Sequence, residues 1–473
     1  MDIAIIGGGA AAVGLLDTLA TTGRAHGSVT VFEPSPGLWR GRPYGPDLDS
    51  VLVNAPPAIM SIRHGDAGHY AAWLGARGDA HLDERLGQPL VPRAVYGEYL
   101  EHTAEKAAAE LRERGWRVEV VAAPVVGVAR SGGRLVLRTG GGDEHAADQV
   151  ALCVGGGHPH DHYGLEGAPG FVGDPYPLAR TLEGVPPESD VVVIGTGLTA
   201  VDVVVSLAAR GHTGRIGMVS RTGMLPHVWQ RPEFHQPRHV TAERVRALPD
   251  LQGEVTLAGL AGLLRAELAD AGEDLDALLA DLRAARTEDP VRRLRRQIAE
   301  IDAPGIGRRV LQQTSHTVGP FAWRLLADRD RDRLRAEFRT ATSLASPMVP
   351  VNAVRLLELF DSGRLRVVRG VTGIERGAGG FRVDADGAQT ADLVINAVNP
   401  PPHAVPRAAA SLVASLAAEG LAAFHPAGGV VPADPRLHVV GDLAGDGPFI
   451  TSGIPGVAAQ GAMASRAILA PVR

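Results

Sequence analysis

The sequence predicts an α/β protein built from two similar parallel-sheet domains, the second interrupted by a helical insert. Three observations carry this. The chain opens with an apolar strand that runs into a glycine-rich turn and an alanine-rich helix. The same strand, turn and helix return 188 positions later. The second unit then takes 56 residues more than the first to reach its closing strand.

At 473 residues the chain exceeds one ordinary domain and can bury more than one core. It is 45% hydrophobic and 21% charged with a formal net charge of −6. That balance describes a folded globular enzyme and argues against nucleic acid as a partner. A single cysteine, Cys153, excludes an internal disulfide and a paired-cysteine redox centre, so any redox chemistry must come from a cofactor. No run of about 18 apolar residues occurs and no basic leader precedes Asp2, so no membrane span is expected and the expected compartment is the cytoplasm.

The first unit begins with Asp2-Ile-Ala-Ile-Ile6, followed by Gly7-Gly-Gly-Ala-Ala-Ala-Val-Gly14. Gly7 permits the tight turn, Gly9 lets the backbone approach a pyrophosphate, and Ala12 stands where the helix packs on the strand. The helix N-terminus then offers its positive end to phosphate. The next apolar strand, Val29-Thr-Val-Phe-Glu33, ends in a carboxylate 21 positions after Ala12, where a ribose-binding acid is expected.

The second unit reads Val191-Val-Val-Ile-Gly195-Thr-Gly197-Leu-Thr199-Ala200, so Gly7, Gly9 and Ala12 map onto Gly195, Gly197 and Ala200. In the same frame Glu33 maps onto Arg221, which follows Ser220 at the end of the strand beginning at Arg215. A carboxylate there accepts hydrogen bonds from a ribose diol, whereas a guanidinium, with the Ser220 hydroxyl beside it, suits the 2′-phosphate that distinguishes NADPH from NADH. The competing reading is a solvated arginine at a strand end.

Further on, Arg117-Val-Glu-Val-Val and Asp148-Gln-Val-Ala-Leu-Cys-Val154 correspond to Leu365-Arg-Val-Val and Asp392-Leu-Val-Ile-Asn-Ala-Val398. The surplus falls at about 230–338, rich in alanine, leucine, arginine and acids, with helices expected around 260–268, 275–285 and 292–301. Arg292, Arg293, Arg295 and Arg296 could line a channel for an acidic substrate, but charged helix faces are usually solvated, and that reading is preferred.

Several stretches carry a resemblance: Pro43-Tyr-Gly45, Asn54-Ala-Pro56 with Met60 downstream, Val91-Pro-Arg-Ala-Val-Tyr96-Gly-Glu-Tyr99, Gly195-Thr-Gly-Leu-Thr-Ala-Val-Asp202, and Ser220-Arg-Thr-Gly-Met-Leu-Pro226. With the two glycine turns, the chain resembles, over nearly its whole length, the two-dinucleotide-domain FAD/NAD(P)-binding flavoproteins. It is most similar to class B flavin monooxygenases and N-hydroxylating monooxygenases. The resemblance implies two Rossmann-like dinucleotide-binding domains: an FAD domain of residues 1–187 plus 400–473, and an NADPH domain of residues 188–399 carrying the insert.

It further implies FAD at Gly7, Gly9, Ala12 and Glu33. Gly441 and Asp442, which end the strand Leu437-His-Val-Val, would lie beside its ribityl chain. The segment Phe449 to Pro455, with Ile454 at the opening of the last helix, would approach the flavin ring. NADPH would lie at Gly195, Gly197, Thr199, Ser220 and Arg221. Asn54 would point towards the flavin as the catalytic side chain; an asparagine in a turn before proline is the plain alternative.

The implied activity is NADPH-dependent oxygenation, through a flavin C4a-(hydro)peroxide, of a small amine or amino-acid-like substrate by O₂, in a biosynthetic pathway. An NADPH-dependent flavin reductase and a non-catalytic flavin-binding sensor remain as alternatives. Residues 56–69 and the insert would wall the substrate. The chain departs from the family's pattern at Val154-Gly-Gly-Gly157, at Asn399, and at Thr340-Ala-Thr-Ser-Leu-Ala-Ser-Pro347, so substrate identity does not transfer. His158, His160 and His162 are read as loop residues facing solvent or a cofactor phosphate rather than as metal ligands, and Cys153 as a packing residue.

Overall fold

Short apolar runs form the central strands, and their burial on both faces is what a parallel sheet covered by helices requires. A computed structural model describes residues 1–22, 26–233, 235–248, 254–387, 389–445, 447 and 453–470. β1 (Asp2–Ile6) is followed by α1 (Ala10–Thr22), β2 (Ser28–Phe32), α2 (Arg93–Glu113) and β3 (Arg117–Val121). An antiparallel three-stranded sheet spanning residues 125–147 then leads to β4 (Gln149–Leu152).

The second unit repeats the plan with β5 (Phe171–Val172), β6 (Val191–Ile194), α3 (Leu198–Ala209) and β7 (Ile216–Val219). The insert follows, with α4 (Leu257–Ala269), α5 (Leu275–Ala284), α6 (Pro290–Ala299), α7 (Gly307–His316) and α8 (Phe338–Ala345) as its main helices. α9 (Pro350–Asp361) returns to pack on α3 and leads into β8 (Leu365–Val368), a second antiparallel sheet and β9 (Leu393–Asn396). The chain closes with β10 (Leu437–Val439) and α10 (Ile454–Leu469).

The strand orders are β10-β4-β1-β2-β3 and β5-β9-β6-β7-β8, parallel throughout. These are two Rossmann-like sheets, the predicted fold class. The repeat extends to single hydrogen bonds. Gly7 N donates to Phe32 O at 2.8 Å and Gly195 N to Val219 O at 2.8 Å. Asp148 N donates to Asp2 O and Asp392 N to Asp190 O, each at 2.8 Å.

The insert's α4 covers the helix expected at 260–268, α5 and α6 match the other two but end at Ala284 and Ala299, and the helical stretch continues past Phe338 to Ala345. The solvated reading of the arginine run holds for Arg292 and Arg295, which are exposed, and fails for Arg293, only 1% exposed. α6 turns Pro290, Arg293, Leu294 and Gln297 inward, because these lie at helical spacing on one face. Among the described residues, no helix is long and apolar enough to cross a membrane.

One buried polar knot joins the two domains. Arg93, at the first position of α2, donates from Nη2 to Asp202 Oδ2 on α3 at 2.5 Å, from Nη1 to the Tyr176 hydroxyl at 3.0 Å, and from Nε to Leu52 O at 3.0 Å. Tyr176 OH donates to the same Asp202 oxygen at 2.5 Å. Burial works against the Arg93 charge, but Asp202 and Tyr176 outweigh it and raise its pKa further above the usual arginine value. Asp47 adds two more crossings by accepting from Leu178 N at 3.0 Å and Ala179 N at 2.7 Å.

Removing one partner of a buried pair strands the other's charge, which costs about 3–5 kcal/mol, whereas replacing both with apolar residues costs much less. Arg93→Met alone is therefore expected to be far more destabilising than Arg93→Met combined with Asp202→Leu. Urea unfolding of the single and double variants checks this, and strictly additive losses would contradict the coupling.

Candidate functional site

The first glycine turn is closed from behind by the protein itself. Gly7 has φ +99°, and a Cβ there would sit 2.4 Å from the Cys153 carbonyl oxygen at the end of β4. Glu33 reaches back over the turn: its Oε2 accepts from Gly8 N at 2.8 Å and its Oε1 from Ser35 N at 2.8 Å. Each oxygen keeps acceptor capacity for a ribose hydroxyl. Gly9 faces Gly41 of the following loop, and Ala12 is fully buried where α1 meets the sheet.

Gly441 and Asp442 stand at the same end of this sheet. Gly441, φ +97°, donates to Gln460 Oε1 on α10 at 2.5 Å and lies against Ala11 of α1. The Asp442 carboxylate lies over Gly156, where a Cβ would come within 2.5 Å of its Oδ2, and its backbone carbonyl accepts from His403 Nδ1 at 3.0 Å. Ile454 is buried at the first turn of α10, whereas residues 449–452, expected near the flavin ring, lie outside the described residues. Cys153 is buried, and burial pushes its thiol up to about 12, which fits a packing residue.

Asn54 is held from both sides of its backbone. Val53 N donates to Val91 O at 2.9 Å, and the Asn54 carbonyl accepts from Trp229 Nε1, on the segment leading into the insert, at 2.8 Å. Its side-chain Oδ1 is buried without a hydrogen-bond partner among the described residues. An orphaned buried acceptor costs about 1–3 kcal/mol, so this oxygen fits a site that a donor group completes. Trp229 could not be found from sequence, because no local pattern ties residue 229 to residue 54.

The second turn repeats the first: Gly195 has φ +111°, and a Cβ there would lie 3.1 Å from the Ala397 carbonyl oxygen. In front of Gly197 the space is open. Thr199 Oγ1 donates to Asn399 Oδ1 at 3.2 Å, so the asparagine that departs from the family's pattern lies against the start of α3. Ser220 Oγ accepts from Gly223 N at 2.9 Å and sits 3.1 Å from Thr196 Oγ1, so this hydroxyl shapes the turn.

Arg221 is exposed and makes no ion pair among the described residues. Its positive charge works to lower the pKa of His162, Tyr163 and Arg339. Burial first, then His160, Arg221 and Arg339, hold His162 below the usual histidine range. Arg339, on α8 of the insert, escapes sequence reasoning because it comes from 118 positions away. The histidine loop thus faces a cationic cluster, and no group of three or more potential metal ligands occurs among the described residues.

Residues 4–157 match a protein-family model described as FAD-NAD(P)-binding. No curated protein matches the chain by sequence. Among solved structures, L-lysine 6-monooxygenase from Pseudomonas syringae is similar, with a TM-score of 0.57 and 15% identity over 98% of both chains. The ornithine N-hydroxylase KtzI from Kutzneria sp. 744 gives 0.57 at 13% identity, covering 99% of this chain and 98% of its own. DfoA, the cadaverine monooxygenase from Erwinia amylovora, gives 0.58 at 13% identity, covering 100% and 96%. At these identities the likeness establishes the fold: the chain has the architecture of two-dinucleotide-domain FAD/NAD(P)-binding flavoproteins.

The two turns respond differently to an added methyl group. Gly195→Ala meets both a positive φ and a carbonyl and is expected to cost about 1–3 kcal/mol of stability. Gly197→Ala meets no protein atom and is expected to leave unfolding unchanged while weakening dinucleotide binding. Thermal unfolding alongside nucleotide titration checks both, and a strongly destabilised Gly197→Ala would contradict the open approach.

Proposed function

We propose that this protein is an FAD- and NADPH-dependent monooxygenase that oxygenates a small amine or amino-acid-like substrate. The observation that carries the reading is the unpartnered buried oxygen of Asn54, whose backbone is held by an indole from the segment leading into the insert. The FAD-NAD(P)-binding match supports the cofactors, as does the KtzI structure, solved with reduced FAD, NADP⁺ and L-ornithine. Bound FAD would supply hydride acceptance and oxygen activation.

The chain's own residues would do the rest. Glu33 would accept from the ribose of FAD, and Asp442 from a ribityl hydroxyl. The helix starts after Gly9 and Gly197 would take the pyrophosphates. Arg221, with Ser220 beside it, would take the 2′-phosphate. Asn54 Oδ1 would accept a hydrogen bond from the flavin edge or from the nicotinamide amide. Met60 and Ile454, both buried, would help keep water from the reacting end of the cleft. The lysine, ornithine and cadaverine named for the similar structures support an amine as the oxygenated group.

Anaerobic reduction of the FAD-loaded protein by NADPH, followed by rapid mixing with O₂, tests the reading. Expected is a transient absorbance distinct from both the reduced and the oxidised flavin, with a hydroxylated amine formed when substrate is present. Direct return to oxidised flavin would favour an NADPH-dependent reductase, and failure of NADPH to reduce the flavin would favour a sensor. Arg221→Ala removes charge-assisted hydrogen bonds worth about 1.5–3 kcal/mol, so NADPH binding should fall roughly 10- to 100-fold with NADH little changed. Equal losses for both nucleotides would remove Arg221 from this role.

A further inference from the structure

The segment from Leu225 to Arg231 runs through the insert with polar side chains closed around it. Arg293 Nη2 on α6 donates to Leu225 O at 2.7 Å, and Gln297 Oε1, one turn on, accepts from Val228 N at 3.2 Å. Gln230 Nε2 donates to Glu300 O at 3.1 Å. His227 N donates to Ser343 O on α8 at 2.9 Å, and its ring Nδ1 lies 3.3 Å from Ser343 Oγ. Arg308 on α7 pairs with Glu300 at 2.6 Å, and Gln312 follows it on the same helix face.

Arg293, Arg308, Gln297, Gln230 and His227 have each spent one polar atom on the protein and keep another with nothing to bond among the described residues. Among the described residues, Arg293 Nη1, Arg308 Nη1, Gln297 Nε2 and Gln312 Nε2 are buried donors without partners; His227 Nε2 and Gln230 Oε1 are likewise unpartnered. A buried donor left unmade costs about 1–3 kcal/mol, and more when it carries charge. Four of them in one core are not explained by fold stability.

The charge balance points the same way. Arg308 is matched by Glu300, and Arg296 by Asp281, Glu288 and Glu300. Arg293 makes no ion pair among the described residues, although it is 1% exposed. His227 adds no charge, since burial and then the fields of Arg293 and Arg308 hold it down to about 3. The core therefore carries an excess of positive charge and of N–H donors. A planar guanidinium flanked by amides is a fitting receptor for a carboxylate or phosphate.

We propose that the helical insert binds the oxyanion of a small molecule, a carboxylate or a phosphate, in the core between α6, α7 and the Leu225–Arg231 segment. Arg293 supplies the charge, and Arg308, Gln297 and Gln312 supply further hydrogen bonds. The proposal stands apart from the oxygenation reading, because its residues belong to the second domain and its insert alone and its readout is binding.

The test uses FAD-loaded protein saturated with NADP⁺, so that both dinucleotide sites are filled. Sodium phosphate and sodium glutarate are titrated separately at constant ionic strength while thermal unfolding is followed. A saturable rise on the order of a few degrees is expected with at least one of them. A rise with phosphate alone identifies a phosphate-type ligand, and a rise with glutarate alone a carboxylate.

Arg293→Met should abolish the rise, and Arg292→Met, on the exposed face of the same helix, should keep it. If Arg293→Met does not fold, Gln312→Leu is expected to weaken the anion roughly tenfold. No rise with either anion, or an unchanged rise in Arg293→Met or Gln312→Leu, would overturn the proposal.

Discussion

The relation between the two domains depends on the knot of Arg93, Tyr176 and Asp202. Its three side chains come from the start of α2, the segment between β5 and β6, and the middle of α3. The Asp202 side chain is fully buried and the Arg93 side chain 14% exposed, so the pair is held largely out of water. Buried ions attract strongly over short distances and tolerate little misalignment, which lets one small cluster fix the angle between two sheets.

A second element works with this knot. The stretch from Ser220 to Arg231 begins at the second glycine turn, where Thr196 Oγ1 donates to Met224 O at 2.8 Å. It continues past Arg293 and His227 and reaches the first domain through the Trp229 indole. A single stretch of chain thus touches the candidate nucleotide turn, the polar core of the insert and the backbone of Asn54. Its register is kept by a short parallel bridge between Val228 and Met348.

Much of the architecture was legible because the constraints are local. Gly7 and Gly195 are forced by a carbonyl oxygen directly behind them, so the glycine appears in the text wherever the turn appears. The apolar strands and the helices around 260, 275 and 292 follow from periodicity. By contrast α7, reading Gly-Arg-Arg-Val-Leu-Gln-Gln-Thr-Ser-His, turns Arg308 and Gln312 inward, so its hydrophobic pattern is blank and it went unread. The same inversion hid Arg293 inside what looked like a solvated charge run. Trp229 and Arg339 were invisible for a different reason: each acts on a residue more than a hundred positions away, and nothing in one sequence reports such a pairing.

The first sheet is assembled from both ends of the chain. β4 pairs with β1 on one side and with β10, nearly three hundred residues later, on the other, and α10 packs against α1. The second sheet, by contrast, is continuous from β5 to β9. During synthesis the middle of the chain can therefore complete its core while the first sheet still lacks an edge strand and a covering helix. Maturation of the first domain has to wait for a segment that emerges last, and the turn at Gly7 is backed by a finished sheet only after the second domain is already in place.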